Sequence, residues 1–214
     1  ISAKGFYSIN NMMSILNTFS YTMIAAIGMN LIMITSNIDV SAGALVSVIC
    51  FALAAIGKLG MPFWVLLPAA MGMGTILSTI NGLFITKTKI PAIVATLATT
   101  QLFQGVLPLI TEGSIYDLPA SFTWLAFEAK IFGIFPASLF MCLIVMMVAL
   151  YFMKYSRFSK KLYAIGNNPA NARLAGIHVE KTIVVTYAIA GALYGITAVI
   201  IATAGQRVTT TMGS

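Results

Sequence analysis

Long apolar runs, separated by short polar segments, are the feature that most restricts how this chain can fold. Hydrophobic residues make up 59% of its 214 residues and charged residues only 8%, whereas roughly a quarter of a typical soluble domain is charged. The runs are continuous rather than alternating in polarity, which favours helices over the strands of a membrane barrel. We therefore predict an integral membrane protein with five or six helical spans.

Six apolar segments follow from the sequence: residues 15–36, 44–57, 63–86, 92–110, 134–153 and 183–204. The second is short for a full crossing of the hydrocarbon core. The third carries a small residue at every fourth position, at Ala70, Gly74, Ser78 and Gly82. The sixth carries Gly191 and Gly195 at the same spacing. Such faces allow a neighbouring helix to approach closely, so both segments are predicted to pack tightly against other helices.

Basic residues predict the orientation of the chain. Loops 87–89 and 154–181 are separated by two spans, so they lie on the same side of the membrane. They hold Lys87, Lys89, Lys154, Arg157, Lys160, Lys161, Arg173 and Lys181. The opposite side holds Lys4, Lys58, Lys130 and Arg207 together with three acids. The more basic side is predicted to be cytoplasmic, and the net charge of +7 is assigned to topology rather than to nucleic-acid binding.

A polar break at residues 37–43 separates the first two apolar segments. It is either a tight loop at the membrane face or an unwound, re-entrant bend buried among helices, where protein groups must satisfy its backbone. The break contains Asp39, a carboxylate between two apolar runs. One hypothesis makes Asp39 an ion or proton site. The preferred interpretation makes it an interfacial or helix-capping residue that, with Asn37 and Ser41, satisfies backbone groups at a bend.

Polar side chains within the spans form a candidate substrate path. The fourth segment is unusually polar, and its threonines and glutamines either line a pathway or form hydrogen bonds between helices. The residues assigned to the path are Asn30, Asn37, Asp39, Ser41, Asn81, Thr96, Thr100 and Gln101.

The segment 154–181 has a specific internal pattern. Asn168 is predicted to cap a short helix that begins at Pro169, runs over residues 170–175 and ends at Gly176. Membrane topology or binding of anionic lipid explains the positive charges at the start of the segment, which are Lys154, Arg157, Lys160 and Lys161. The ordered pattern beyond them is not explained in this way, so we predict a short helix on the membrane surface that is displayed to a partner.

Other chemistry-bearing features are few. Cys50 and Cys142 lie inside apolar runs and are predicted to be packing residues. His178 has no cluster of metal-ligating residues around it, so no metal site is predicted. The sequence contains no GxxxxGK[ST], GxSxG or HExxH pattern, and we predict no enzymatic activity in this chain. Because it begins at Ile1 and stops at Ser214, we expect an interior piece of a longer chain.

Two separated stretches carry a resemblance to a known family. Residues 38–44 (IDVSAGA) are similar to an I-D-L-S-V-G-S motif, and residues 163–177 (YAIGNNPANARLAGI) to Y-A-I-G-G-N…A-A-R-L-S-G-I. Residues 81–82 (NG) and 93–97 (IVATL) match two further positions of the same pattern. These motifs resemble the permease subunits of bacterial ABC importers for simple sugars, including the ribose, rhamnose and autoinducer-2 importers. Val40, Ala42, Asn167 and Asn171 depart from the motifs.

The resemblance implies an all-α, polytopic integral membrane fold of about six transmembrane or re-entrant helices with a cytoplasmic coupling helix. Residues 1–214 would form a single permease domain, incomplete at both ends, that contains the coupling loop 154–182. The resemblance also implies a location in the bacterial inner membrane and contact with lipid. The residues expected to dock on the ATPase are Tyr163, Gly166, Asn167, Asn168, Arg173, Leu174, Gly176 and Ile177.

The partners implied by the resemblance are a second permease subunit, identical or not, a cytoplasmic ATPase subunit and an extracytoplasmic sugar-binding protein. ATP and magnesium would be bound by the ATPase, and no cofactor is expected in this chain. A secondary transporter or channel that uses Asp39 and the polar face of residues 92–104 is the alternative. Such a protein would not need the ordered loop, so the loop favours the permease.

Overall fold

The computed structural model describes residues 8–57, 62–111, 116–117, 130–131, 135–205 and 207–208. Within these ranges the helices are α1 (Ile9–Ile34), α2 (Ala42–Gly57), α3 (Phe63–Thr88), α4 (Ala92–Thr111), α5 (Ala137–Tyr155), α6 (Arg157–Asn167), α7 (Pro169–Leu174) and α8 (Val179–Gly205). The strands are two residues each: β1 (Tyr116–Asp117), β2 (Lys130–Ile131), β3 (Phe135–Pro136) and β4 (Arg207–Val208). The antiparallel pairs are β1 with β4 and β2 with β3.

Five of the described helices, α1, α3, α4, α5 and α8, are long and apolar enough to cross a membrane. The apolar helix α2 is shorter. The predicted class of all-α, polytopic membrane protein is thus confirmed. Two of the three acids predicted on the opposite side, Glu112 and Glu128, lie outside the described residues, as do residues 209–214.

The centre of the molecule is the contact between α3 and α8, and it is built from the small-residue faces of both helices. A Cβ atom on Gly74 would overlap the carbonyl oxygen of Gly191, and one on Gly195 would overlap that of Ala70. The predicted close-packing faces are therefore confirmed, and they pack against each other. Tyr187 and Tyr194 of α8 are fully buried beside this contact.

The remaining long helices pack around this pair. On α1, a Cβ atom on Gly28 would lie 3.1 Å from the ring of Tyr194 and 3.2 Å from the carbonyl oxygen of Ala190. The Ser138 hydroxyl of α5 donates a hydrogen bond to Asn17 of α1. Cys50 and Cys142 are buried within this packing, as predicted.

The structure corrects the predicted loop 154–181, because residues 157–167 form the helix α6. Ser156 caps α6 by accepting a hydrogen bond from the Phe158 N–H at 2.9 Å. Leu162 and Ile165 lie on one face, three residues apart, and both are fully buried. Lys154 belongs to the last turn of α5. Burial of this apolar face stabilises α6. The charge pattern alone indicated a loop at these residues.

The helix bounds differ from the predicted segments mainly at their first residues. α1 begins six residues before the predicted segment 15–36, since Ser8 accepts a hydrogen bond from the Asn11 N–H at 3.3 Å and caps it. α8 begins at Val179 rather than at residue 183, and α5 begins at Ala137 rather than at residue 134. The added first turns of α1 and α8 contain polar or charged residues, which do not contribute to an apolar run.

Candidate functional site

The chain between α1 and α2 is an extended break with its own hydrogen bonds. Helix α1 ends at Ile34, and Ser36 has a positive φ of 59° that turns the chain out of the helix. The Asn37 amide donates to the carbonyl oxygen of Thr35 at 3.1 Å and to its hydroxyl at 3.0 Å. These bonds satisfy groups at the end of α1 that the helix leaves without partners.

Asp39 organises the other end of the break, where α2 begins. Its Oδ1 atom accepts hydrogen bonds from the Ser41 N–H at 2.9 Å and from the Ser41 hydroxyl at 2.5 Å. The Leu45 N–H donates to the Ser41 carbonyl at 2.9 Å, which is the first bond of the α2 ladder. This geometry supports the capping interpretation of Asp39, since the carboxylate takes up a backbone donor at the helix start.

The second carboxylate oxygen of Asp39 faces α8. The Tyr194 hydroxyl donates a hydrogen bond to Asp39 Oδ2 at 3.2 Å, and both side chains are fully buried. A buried carboxylate is strongly destabilising unless it is hydrogen-bonded. Asp39 therefore holds the break against α8 as well as capping α2.

Two further helices reach the same place. From α3, the Asn81 amide donates to the Ser41 hydroxyl at 2.8 Å, and its oxygen accepts from the Thr99 hydroxyl of α4 at 2.9 Å. The Thr96 hydroxyl of α4 accepts from the Val40 N–H at 3.2 Å. We define the break cluster as the side chains that bond to the backbone of the break or to one another at this place: Asp39, Ser41, Asn81, Thr96, Thr99 and Tyr194.

The break cluster favours one of the two predicted positions of the break. Asp39 and Ser41 are fully buried, and Asn81 and Thr96 are also buried. The backbone of Val40 is satisfied by the Thr96 side chain rather than by solvent. The polar side of the break is therefore buried among helices, as in the second of the two alternatives, whereas Ile38 and Val40 are 45% and 38% exposed. On the buried side, protein groups take up backbone donors of the break.

The structure brings together four of the eight residues assigned to the substrate path. Asn30 is exposed on the α5 side of α1, and Gln101 is exposed on α4. Thr100 bonds back to the Thr96 carbonyl at 2.8 Å. Asn37 bonds within the break, and the other four belong to the break cluster. Their assignment to a path stays a prediction.

Two members of the break cluster, Thr99 and Tyr194, were not assigned to the predicted substrate path. Thr99 lies three residues after Thr96, which places it on the same face of α4 and was an available signal. Tyr194 joins the cluster from 155 positions away in the chain, and no local pattern in the sequence indicates that contact.

Helix α7 forms as its sequence predicts. The Asn168 side chain accepts hydrogen bonds from the N–H groups of Ala170 at 2.9 Å and Asn171 at 3.1 Å. At the other end, Gly176 has a φ of 78°. The Ile177 N–H donates to the Ala172 carbonyl at 3.0 Å, and the Gly176 N–H donates to Arg173 at 2.9 Å. This pair of bonds is a Schellman motif, which needs a left-handed residue at the position of Gly176.

The surface of α7 is largely uncovered. Leu174 is 88% exposed, and Asn167, Asn168, Arg173 and Gly176 are also exposed, whereas Ile177 is half-buried. The Arg173 guanidinium lies 2.6 Å from the Glu180 carboxylate at the start of α8, and both side chains are more than half exposed. Tyr163 does not lie on this surface, because it borders a groove between α1 and α5.

Helix α6 connects this surface to the break. A Cβ atom on Gly166 would overlap the carbonyl oxygen of Ile34, the last residue of α1. The Ser36 hydroxyl donates to the Gly166 carbonyl at 3.0 Å. Only glycine allows this approach without displacing one of the two helices. The end of α6 is thus in direct contact with the start of the break.

Comparison with known proteins places these features in a family. A family described as the permease component of branched-chain amino acid transport systems matches residues 11–214. The chain belongs to this permease family. The resemblance drawn from the motifs at residues 38–44 and 163–177 is thereby confirmed. No solved structure matches the chain.

Curated relatives of this permease chain include two ribose permeases. The ribose import permease protein RbsC of Escherichia coli strain K12 is 32% identical over 206 residues, which cover 92% of this chain and 63% of the relative. RbsC of Haemophilus influenzae is 30% identical over 204 residues, covering 92% and 62% of the two chains. The autoinducer 2 import system permease protein LsrC of Yersinia enterocolitica is 29% identical over 202 residues, covering 93% and 55%. The permease chain therefore spans less than two thirds of the length of these relatives.

Proposed function

We propose that this chain forms part of the membrane-spanning permease subunit of an ATP-binding cassette importer. The importer moves a simple sugar or a sugar-like solute inward by alternating access, and a separate ATPase subunit supplies the energy. The observation that carries the proposal is the exposed, double-capped helix α7, whose neighbour α6 contacts the start of the break through Gly166. Membership in the permease family and the similarity to ribose and autoinducer-2 permeases support it.

The partners follow from this role. A cytoplasmic ATPase subunit binds ATP and magnesium and docks on the surface of α7. A second permease subunit, identical or different, completes the pathway, and an extracytoplasmic binding protein delivers the solute. The largely exposed Leu174 supplies an apolar contact for the ATPase. Arg173, which is bound to Glu180, supplies a charged one.

The described contacts support a route for coupling. A movement of the ATPase against α7 shifts α6, because the two helices share a small core that includes Ile165 and Ala172. α6 cannot slide independently of α1, since Gly166 touches Ile34 and bonds to Ser36. The chain runs from Ser36 directly into the break cluster, which joins α3, α4 and α8. Small rigid shifts of packed helices of this kind alternate a pathway between two states.

The solute path is proposed near the break cluster. Amide and hydroxyl groups are the side chains that recognise sugar hydroxyls by hydrogen bonding. Asn81, Ser41, Thr96 and Thr100 supply such groups on three segments that meet at one place. The solute is a sugar or sugar-like molecule by family similarity, and these residues are the candidates for its contacts.

Arg173 allows a sharp test, because its intramolecular partner Glu180 can be changed separately. The full-length permease is reconstituted with its ATPase and binding protein, and solute uptake and ATP hydrolysis are measured together. We expect Arg173→Glu to retain insertion and basal ATP hydrolysis but to lose uptake coupled to it. Glu180→Gln removes only an exposed ion pair, worth about 0–1 kcal/mol, and should transport normally.

The double variant Arg173→Glu with Glu180→Arg separates docking from local stability. It restores an ion pair between α7 and α8 but leaves the docking surface with the wrong charge at position 173. We expect it to remain uncoupled. Recovery of normal uptake would show that Arg173 acts only through its bond to Glu180. Normal uptake by Arg173→Glu alone would contradict the docking role.

A further inference from the structure

A lateral groove runs between α1 and α5 on the outside of the helix bundle. The two helices lie side by side from the contact of Asn17 with Ser138 to Ile34 and Met153, which line the groove. The groove has a volume of about 430 Å³. Its lining is apolar apart from Asn30 and Tyr163, and consists of Met23, Ala26, Ile27, Asn30, Leu31, Ile34, Met146, Ala149, Leu150, Met153 and Tyr163.

The length of the groove matches one leaflet of a bilayer. From Met23 to Ile34 the helix rises about 16 Å, at 1.5 Å per residue. Half of a hydrocarbon core about 30 Å thick is about 15 Å. The groove also ends at α6, on the side predicted to be cytoplasmic. It therefore spans the depth that a single acyl chain of the cytoplasmic leaflet occupies.

The cytoplasmic mouth of the groove is flanked by positive charge. Lys154 lies one turn beyond the groove-lining Leu150 on the same face of α5, and Lys160 lies one turn before Tyr163 on α6. Both lysines are exposed, and Lys154 Nζ is 5.2 Å from the ring centroid of Tyr155. Within the described part of the chain, neither lysine has an ion-pair partner, and Arg173 does.

We propose that this groove binds an anionic glycerophospholipid of the cytoplasmic leaflet. One acyl chain fills the groove against Leu31 and Met146, and the phosphate lies between Lys154 and Lys160. Basic pockets at the cytoplasmic ends of membrane helices recognise anionic head groups in this way. A lipid accounts for both the apolar groove and the lysines at its cytoplasmic end. A cytoplasmic protein accounts only for the lysines, because it cannot reach an apolar groove that extends to the depth of Met23.

The consequence of such a lipid is mechanical. It bridges α1, α5 and α6, which all contribute to the lining of the groove, and two of these helices, α1 and α6, touch where Gly166 contacts Ile34. Lipid contacts at this place stabilise one arrangement of α6 against α1. The proposal concerns binding and does not depend on the proposed transport activity, so either can fail without the other.

The test is a lipid titration of the delipidated, full-length protein, followed by native mass spectrometry. The lipids are phosphatidylglycerol, phosphatidylcholine with the same acyl chains, and glycerophosphoglycerol, which has none. We expect the protein to bind phosphatidylglycerol more tightly than the other two. The variant Lys154→Gln with Lys160→Gln should bind it roughly 30-fold more weakly, from two head-group charges.

Matched variants distinguish specific binding in the groove from non-specific attraction of anionic lipid to positive charge. Lys87→Gln with Lys89→Gln removes two exposed lysines from the end of α3 and should leave the affinity unchanged. Ala26→Phe fills the groove from α1, and Ala149→Leu fills it from α5, so each should weaken the binding of phosphatidylglycerol. The melting temperature of each variant reports whether it is folded. Ala26→Phe and Ala149→Leu block the groove from different helices, so each tests the proposal independently.

Three results would overturn the proposal. Equal loss of affinity in both lysine pairs would indicate non-specific attraction of anions. Unchanged affinity in both groove variants would show that the phosphate is held without an acyl chain in the groove, as when another protein segment covers it. Loss of the ATPase from the Lys154 and Lys160 variant, with unchanged lipid affinity, would assign the mouth to a protein partner.

Discussion

At the scale of single residues, Asp39 is the side chain with the most defined hydrogen bonding in the break. It accepts two bonds from Ser41 and one from Tyr194. An asparagine at this position keeps an oxygen for Ser41, and its amide can donate to the Tyr194 hydroxyl oxygen. An alanine removes all three bonds and leaves buried donors without partners. The two substitutions therefore separate the hydrogen-bonding role from the role of the charge.

We expect Asp39→Asn to reduce solute uptake only modestly, with normal expression and assembly. Asp39→Ala should lower the free energy of unfolding by about 1–3 kcal/mol for each buried donor left unsatisfied, seen as a lower melting temperature in detergent. Uptake in cells and the melting temperature of the purified full-length protein are the measurements. Complete loss of uptake in a well-folded Asp39→Asn variant would instead favour the ion-site hypothesis.

At the scale of elements, the contact between α6 and α1 is the one to perturb. Gly166→Ala places a methyl group onto the Ile34 carbonyl, whereas Gly72→Ala, also within a helix, has no atom within 4 Å of the new methyl. We expect Gly166→Ala to destabilise the protein by about 1–3 kcal/mol through overpacking. Gly72→Ala should be neutral or stabilising by up to about 1 kcal/mol, because alanine favours helices.

The proposed coupling role of the contact between Gly166 and Ile34 can be measured separately from stability. In the reconstituted importer, Gly166→Ala should lower the amount of solute moved per ATP hydrolysed, while Gly72→Ala leaves this ratio unchanged. Ser36→Ala removes one exposed hydrogen bond to the same carbonyl and should have a smaller effect in the same direction. An unchanged ratio in Gly166→Ala would mean that coupling does not pass through α6.

Elements that depend on local signals were predictable from the sequence. The caps of α7 at Asn168 and Gly176 and the small-residue faces of α3 and α8 each need only a few neighbouring residues. Helix α6 was missed, although Phe158, Leu162 and Ile165 have helical spacing, because its charges were interpreted as those of a loop. Its stability comes from burial against the rest of the protein, which a local pattern does not contain.

The candidate site was less predictable than the fold. Asp39, Asn81 and Thr96 were all assigned to the predicted path, but no local pattern in the sequence indicates the hydrogen bonds that bring their segments together. The bond between Tyr194 and Asp39 spans 155 positions, and it depends on the packing of α8 against α3. Asn30 and Gln101 were grouped with them on polarity alone, and the structure places both on exposed faces. The polarity of the sequence identifies candidate residues, but the packing of the helices determines which of them lie together in one site.

At the scale of the whole molecule, the described helices form one consistent topology. The ends of α1, α3 and α5 and the starts of α4 and α8 all belong to the side that carries α6 and α7. The break then returns the chain into the bundle, and α2 runs from there along α8 toward the opposite side. In this arrangement the buried break cluster and the exposed α7 lie at the two ends of one connected path, through Gly166 and Ser36.

This topology can be tested by labelling with a membrane-impermeant maleimide. Cys50 and Cys142 are buried, so they should contribute little background once cysteines elsewhere in the full-length chain are replaced. The exposed positions Lys87, Lys161 and Pro62 are substituted by cysteine one at a time. We expect Lys87→Cys and Lys161→Cys to react in inside-out vesicles, because positive charge is retained on the cytoplasmic side, and Pro62→Cys to react in spheroplasts. Reaction of Lys87→Cys and Pro62→Cys from the same side would mean that α3 does not cross the membrane. Reaction of Lys161→Cys in spheroplasts would contradict the proposed docking of a cytoplasmic ATPase on this side.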